Sequence, residues 1–154
     1  REGPPPLKRE RVALWPLVAE VSLAVCGEGG RRCTLHNEID AALTANVDRD
    51  SVLRVLTNLC RNAVQAGARA ISISAEGAEP ALVLMVADNG PGLPQALRER
   101  LFRPFAPSGS GGSGLGLAIA RDLMWAHGGD LLLARSGREG TCFALHFQQP
   151  RVEE

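Results

Sequence analysis

GSGGSGLGLAIARDLMWAH, residues 109–127, runs glycines straight into an apolar helical pattern. Backbone without side chains at the mouth of a helix lets amide hydrogens reach phosphate oxygens. Taken alone, the run is ambiguous. It satisfies G-x-G-x-x-G at Gly109, Gly111 and Gly114, but that fingerprint has meaning only directly after a buried strand. The residues before it, LFRPFAPS, carry two prolines and no strand pattern. A Walker-type loop fails too, because no Lys-Ser or Lys-Thr follows. A flexible Ser-Gly linker stays open, although a linker does not run unbroken into an amphipathic helix inside a domain.

Residues 48–66 give the clearest helix, with Asp48 or Asp50 as its cap and Gly67 as its stop. At about 100° per residue, Val52, Leu53, Leu56, Cys60, Ala63 and Val64 share one arc. Asn58 and Asn62 fall opposite, one turn apart, flanked by Arg54, Arg61 and Gln65. A solvated polar face explains them; so does a pair of amide oxygens suited to Mg²⁺ or a nucleotide. Residues 70–75 and 81–87 predict a hairpin around EGAEP, the second strand reading as buried on both sides or nearly so. That strand delivers Asp88 into VADNGPGLP, where Gly90, Pro91 and Gly92 force a turn. A carboxylate there either caps its own loop or accepts from a ligand such as the exocyclic amine of adenine.

A helix over 14–26 stops at GEGG, a strand over 33–39 follows, and 43–47 is expected to extend its pairing. A short helix covers 95–100 and a longer one 115–127. The last antiparallel pair, 130–134 with 141–147, closes across RSGREG. This order predicts an α+β domain: a two-layer α/β sandwich, its sheet mixed but mostly antiparallel, with helices on one face. The loop 101–112, with Phe102 and Phe105 at its base, suits a mobile lid over 106–111. Arg100 and Arg103 are the nearest phosphate-neutralising candidates.

Composition narrows the classes further. The 154 residues suffice for one domain, with a formal net charge of zero and charges spread along the chain. That excludes the footprint of a nucleic-acid or anionic-membrane binder. Lys8 is the sole lysine, so lysine-based covalent chemistry is not expected. Cys26, Cys33, Cys60 and Cys142 lack metal-ligand spacing and read as reduced, buried thiols. The apolar run 12–26 is too short for a membrane span of about 20 residues, and it lacks the flanks of a signal peptide. The chain reads as cytoplasmic, which membrane anchoring elsewhere in a parent protein would not contradict.

TNLCRNAVQA, ADNGPG, LFRPF, GSGLGLAIA and GTCFALHF, in that order, resemble the N, G1, F, G2 and G3-type boxes of the GHKL ATP-binding (Bergerat) fold. Within it they resemble the catalytic domain of sensor histidine kinases. The resemblance implies a protein histidine kinase domain with ATP and Mg²⁺ as cofactors. Asn62 would bind Mg²⁺, and Asn58 would sit beside the transferring γ-phosphate. Asp88 would accept from the adenine amine, with Gly90 and Gly92 shaping the base pocket. Gly112, Gly114, Leu115 and Gly116 would admit the phosphates, and Thr141 would support the adenine end. Asn58 replaces the water-activating glutamate of the hydrolysing branches, and an amide is no base near neutral pH. Transfer to a protein side chain is therefore favoured over hydrolysis.

Departures from the family pattern are Gln65 and Ala66 after the N box and a lid without lysine. They support an alternative, a degenerate docking platform binding nucleotide weakly or not at all. An anti-sigma-type serine kinase shares the fold. None of His36, His127 and His146 has the surroundings of a phosphoacceptor. Residues 1–9 therefore read as a linker from an absent, histidine-bearing helical dimerisation domain, 10–149 as the ATP-binding catalytic domain and 150–154 as a tail. The implied partners are that upstream domain and a response regulator or receiver domain, with no nucleic acid and no direct membrane contact. The isolated domain is expected to be a monomer.

Overall fold

The computed structural model describes residues 6–102 and 116–148. Strand β1 (Arg9–Ala13) leads into helix α1 (Leu14–Cys26), then β2 (Thr34–Asn37), β3 (Thr44–Asp48) and α2 (Arg49–Gln65). β4 (Ala70–Glu76) and β5 (Val83–Asp88) follow, then the short α3 (Gln95–Arg98), α4 (Gly116–Ala126), β6 (Asp130–Gly137) and β7 (Gly140–His146). The main sheet has the order β2-β4-β5-β7-β6, parallel between β2 and β4 and antiparallel elsewhere. α1, α2 and α4 bury apolar faces as one core with Ile71, Ile73, Leu84, Leu131, Phe143 and Leu145 of the sheet. The expected two-layer arrangement is what forms.

Four expectations need correction. β3 does not extend the pairing of β2; it pairs antiparallel with β1 as a separate two-stranded sheet. β1 went unread because RERVA buries Val12 alone, and its partner lies more than 30 residues away, beyond the reach of local pattern. Second, β5 alternates rather than burying both sides: Leu84 and Val86 are buried, Val83 and Met85 half-exposed. One face meets the helices and the other stays open, as in an antiparallel sheet covered on one side. Third, Cys26 and Cys33 form a disulfide, while Cys60 and Cys142 are free and buried. The backbone turns between α1 and β2, with Arg32 N–H returning to Cys26 O at 2.9 Å, and this fold-back joins sulfurs that spacing alone does not pair.

Fourth, the core arc of α2 is rotated. Val55 and Leu59 are fully buried with Val52, Leu56, Cys60 and Ala63, whereas Leu53 and Val64 are half-exposed. The rotation moves Asn58 and Asn62 from the far side of the helix to its edge, against α4. Asp48 is the cap, its Oδ1 accepting Ser51 N–H at 3.0 Å, and the chain leaves the helix through Gly67 at φ +110°. No helix among the described residues is long and apolar enough to cross a membrane.

Candidate functional site

β5 is held between β4 and β7, so its last residue is presented at a fixed place: Asp88 pairs with Ile71 across the ladder. The chain then turns at once. Asn89 Oδ1 accepts the amides of Arg69 and Ala70 at 2.8 and 2.9 Å, and Gly90 N–H donates to Asp88 Oδ1 at 2.8 Å. Burial pushes the Asp88 carboxyl above its ordinary value, and the backbone amides of Gly90 and Thr141 partly offset this. A Cβ on Gly90 would lie 3.0 Å from Asp88 Oδ1; one on Gly92, at φ +82°, would lie 2.2 Å from Gly137 O. These glycines let the turn pass close to both.

Asp88 opens into a cleft of about 490 Å³, counted with the solvent at its mouth. Asn62, Gly90, Gly92 and Thr141 line the same cleft, with Leu59, Ala63, Leu101, Leu117 and Phe143 as apolar wall. A few placed polar groups among apolar walls are the common form of a small-molecule site. Asn58 is at the edge: its Nδ2 donates to Gly116 O at 3.2 Å, where α4 begins. Gly116 also faces Asn62, since a Cβ there would be 3.8 Å from both atoms of that amide head. The two amides and the start of α4 thus meet at one corner. No hydrogen bond engages the Asn62 amide among the described residues.

Gly112, Gly114 and Leu115 lie outside the described residues, as do Arg103, Phe105 and the lid 106–111. Arg100 is exposed. Phe102 packs edge-on against Phe143, a residue of the cleft wall, ring centroids 6.3 Å apart. Cys60 faces the core from α2, and burial pushes its thiol up to about 12, which removes it as a nucleophile. Two contributors were not read from the sequence. Asn89 stood inside a quoted motif without a role, and Ser136 lay in no motif; its hydroxyl accepts Leu93 N–H at 2.8 Å and meets Thr141 Oγ1 at 2.9 Å.

The family model of histidine kinase-, DNA gyrase B- and HSP90-like ATPases matches residues 47–151. The chain belongs to that family. This ATPase-family chain is similar to the tetrathionate sensor histidine kinase TtrS of Salmonella typhimurium, 37% identical over 118 residues, which cover 74% of this chain and 20% of the relative. It is also similar to the C4-dicarboxylate transport sensor protein DctB of Rhizobium meliloti, 40% identical over 111 residues, 70% of this chain and 18% of that protein. The catalytic domain of histidine kinase ThkA, in a nucleotide-free form, superposes with a TM-score of 0.78 at 28% identity, covering 93% of this chain and 97% of that one. The chain therefore spans about a fifth of the length of the curated relatives named here. The fold is the Bergerat fold, and within the family the chain stands with the ATP-binding domains of sensor histidine kinases.

Proposed function

We propose that the chain binds Mg-ATP in the Asp88 cleft and presents its γ-phosphate to a histidine on a separate dimerisation domain. Asp88 carries the reading: a carboxylate that burial opposes stands at the end of an apolar strand, beside a cleft whose walls are apolar. A ligand amine offering a hydrogen bond compensates that burial, and adenine has one. Gly90 and Gly92 keep the base side open, Thr141 supports the adenine end, and Gly112, Gly114, Leu115 and Gly116 receive the phosphates.

Among the described residues no group of three or more His, Cys, Asp or Glu could hold a metal ion. Mg²⁺ fits the site through the Asn62 amide oxygen, which no hydrogen bond among the described residues engages, together with phosphate oxygens, in keeping with its habit of taking few protein ligands. Bound there, Mg²⁺ would supply charge neutralisation on the phosphates. Asn58, fixed to Gly116, positions the transferring group and takes no proton. This favours a protein acceptor over water. In the intact protein that acceptor stands on a helical dimerisation domain, a response regulator receives the phosphate, and the domain faces the cytoplasm.

Within this chain none of the three histidines is expected to be the acceptor. His127 is buried, its Nδ1 on Leu123 O at 2.8 Å and its Nε2 receiving Asp48 N–H at 3.2 Å. His36 and His146 sit on strands of the sheet. Incubation with Mg-ATP alone is expected to leave the chain unphosphorylated. Acid-labile phosphohistidine on any of the three would contradict a separate acceptor. One observation favours the docking-platform reading: Ala66 lines the cleft, where a ring would grip the base, and Gln65 is exposed.

A further inference from the structure

Ser136 belongs to none of the motifs that pointed to the cleft, yet its hydroxyl touches two of the cleft's walls. The β6–β7 register slips by one residue between Leu133 and Arg135, and the slip sets Ser136 opposite Thr141. Irregularities of this kind re-aim side chains beside functional sites. Ser136 Oγ accepts Leu93 N–H at 2.8 Å and stands 2.9 Å from Thr141 Oγ1. Leu93, Thr141 and Asp88 all line the cleft. The serine is clamped as well: Arg98 Nη2 donates to its carbonyl at 2.8 Å while Arg98 Nε donates to Leu93 O at 3.1 Å.

A hydroxyl has one proton to give and two lone pairs. The Leu93 amide occupies one lone pair of Ser136, and accepting that bond strengthens Ser136 as a donor. Thr141 Oγ1 is the side-chain acceptor within its reach among the described residues. Once Ser136 donates to it, the Thr141 proton is left over, and the cleft beside Asp88 is where it can go. The opposite arrangement, Thr141 donating to Ser136, leaves the proton of the half-buried Ser136 without a side-chain acceptor among the described residues.

We infer that Ser136 is a positioning residue for base selection, holding the Thr141 hydroxyl as a donor into the cleft beside Asp88 as an acceptor. The pair then matches a purine edge with an amine next to a ring-nitrogen acceptor, as in adenine. It opposes an edge with a carbonyl next to a ring N–H, as in guanine. This rests on the nucleotide reading above and deepens it. Discrimination by hydrogen-bond polarity is strong because the wrong partner leaves confined polar groups unpaired.

The test is the ratio of GTP to ATP dissociation constants, measured on the chain and its variants. Ser136→Ala frees the Thr141 hydroxyl to accept, and the ratio is expected to fall about tenfold. Ser136→Thr keeps the hydroxyl and the wild-type ratio. Added to Thr141→Val, Ser136→Ala no longer changes the ratio, because its effect passes through Thr141. An unchanged ratio in Ser136→Ala, or equal weakening of both nucleotides, overturns the inference and leaves ATP binding standing. If Ser136→Ala does not fold, Thr141→Val alone carries the test: the same fall is expected, and an unchanged ratio overturns it. A wild-type chain that binds no ATP overturns the nucleotide reading itself and this inference with it.

Discussion

Asp88 is where folding and the proposed nucleotide binding pull in opposite directions. Its folded carboxyl is raised above the ordinary 3.8, chiefly by burial. A raised acid contributes stability below the unfolded value, and that contribution is lost as pH rises through the folded one. At neutral pH the ionised group therefore works against the empty fold. Asp88→Asn keeps an oxygen for Gly90 N–H and removes the charge. Its empty form should melt higher than wild type at pH 7, the two curves converging as pH is lowered through the raised Asp88 value. ATP affinity should fall roughly 10- to 100-fold, the worth of one charge-assisted hydrogen bond. The neighbouring glycines separate the same two effects. Gly92→Ala meets Gly137 O and a positive φ, and should cost roughly 2–4 kcal/mol of stability. Gly90→Ala meets the Asp88 carboxylate instead, so it should weaken ATP binding while changing the melting temperature little. Equal melting behaviour of the two variants would contradict this assignment.

At the scale of elements, α2 carries the amides and is anchored at its start. Asp48 Oδ1 caps Ser51 N–H, its Oδ2 accepts Lys8 N–H at 2.9 Å, and its own N–H reaches His127 beyond α4. The backbone bonds from Lys8 and Ser51 hold its carboxyl below 3.8. The stability it confers is thus present above 3.8 and lost as pH falls through the depressed folded value. Asp48→Ala should cost about 1 kcal/mol at pH 7, read from urea unfolding, and progressively less in acid. Cap, period and stop made α2 legible from the sequence. Its rotation was not, because Leu53 and Val64 are as apolar as Val55 and Leu59, and periodicity fixes a face to within about one residue. β1 was illegible for another reason: its strand exists through a distant partner. Asp88, Gly90, Gly92 and Asn62, which come together in one cleft, could be singled out because each belongs to a local motif with a physical logic. Ser136 could not, since its place opposite Thr141 arises from a register slip between β6 and β7.

For the molecule as a whole, the order of helices and strands was enough to give helices on one face of a mixed sheet. The details left over are those that only closure of the chain creates: the β1–β3 ribbon and the Cys26–Cys33 link between α1 and β2. What closure also creates is the cleft, where the end of β5, the edge of α2, the start of α4 and the β6–β7 hairpin converge. Under the proposed function this convergence is an ATP site. Calorimetric titration of Mg-ATP into the chain and into Asp88→Ala tests it most directly. Saturable, one-to-one heat is expected for the wild type, and its loss in the variant. A wild type without saturable heat, or an Asp88→Ala variant that binds as the wild type does, would contradict it.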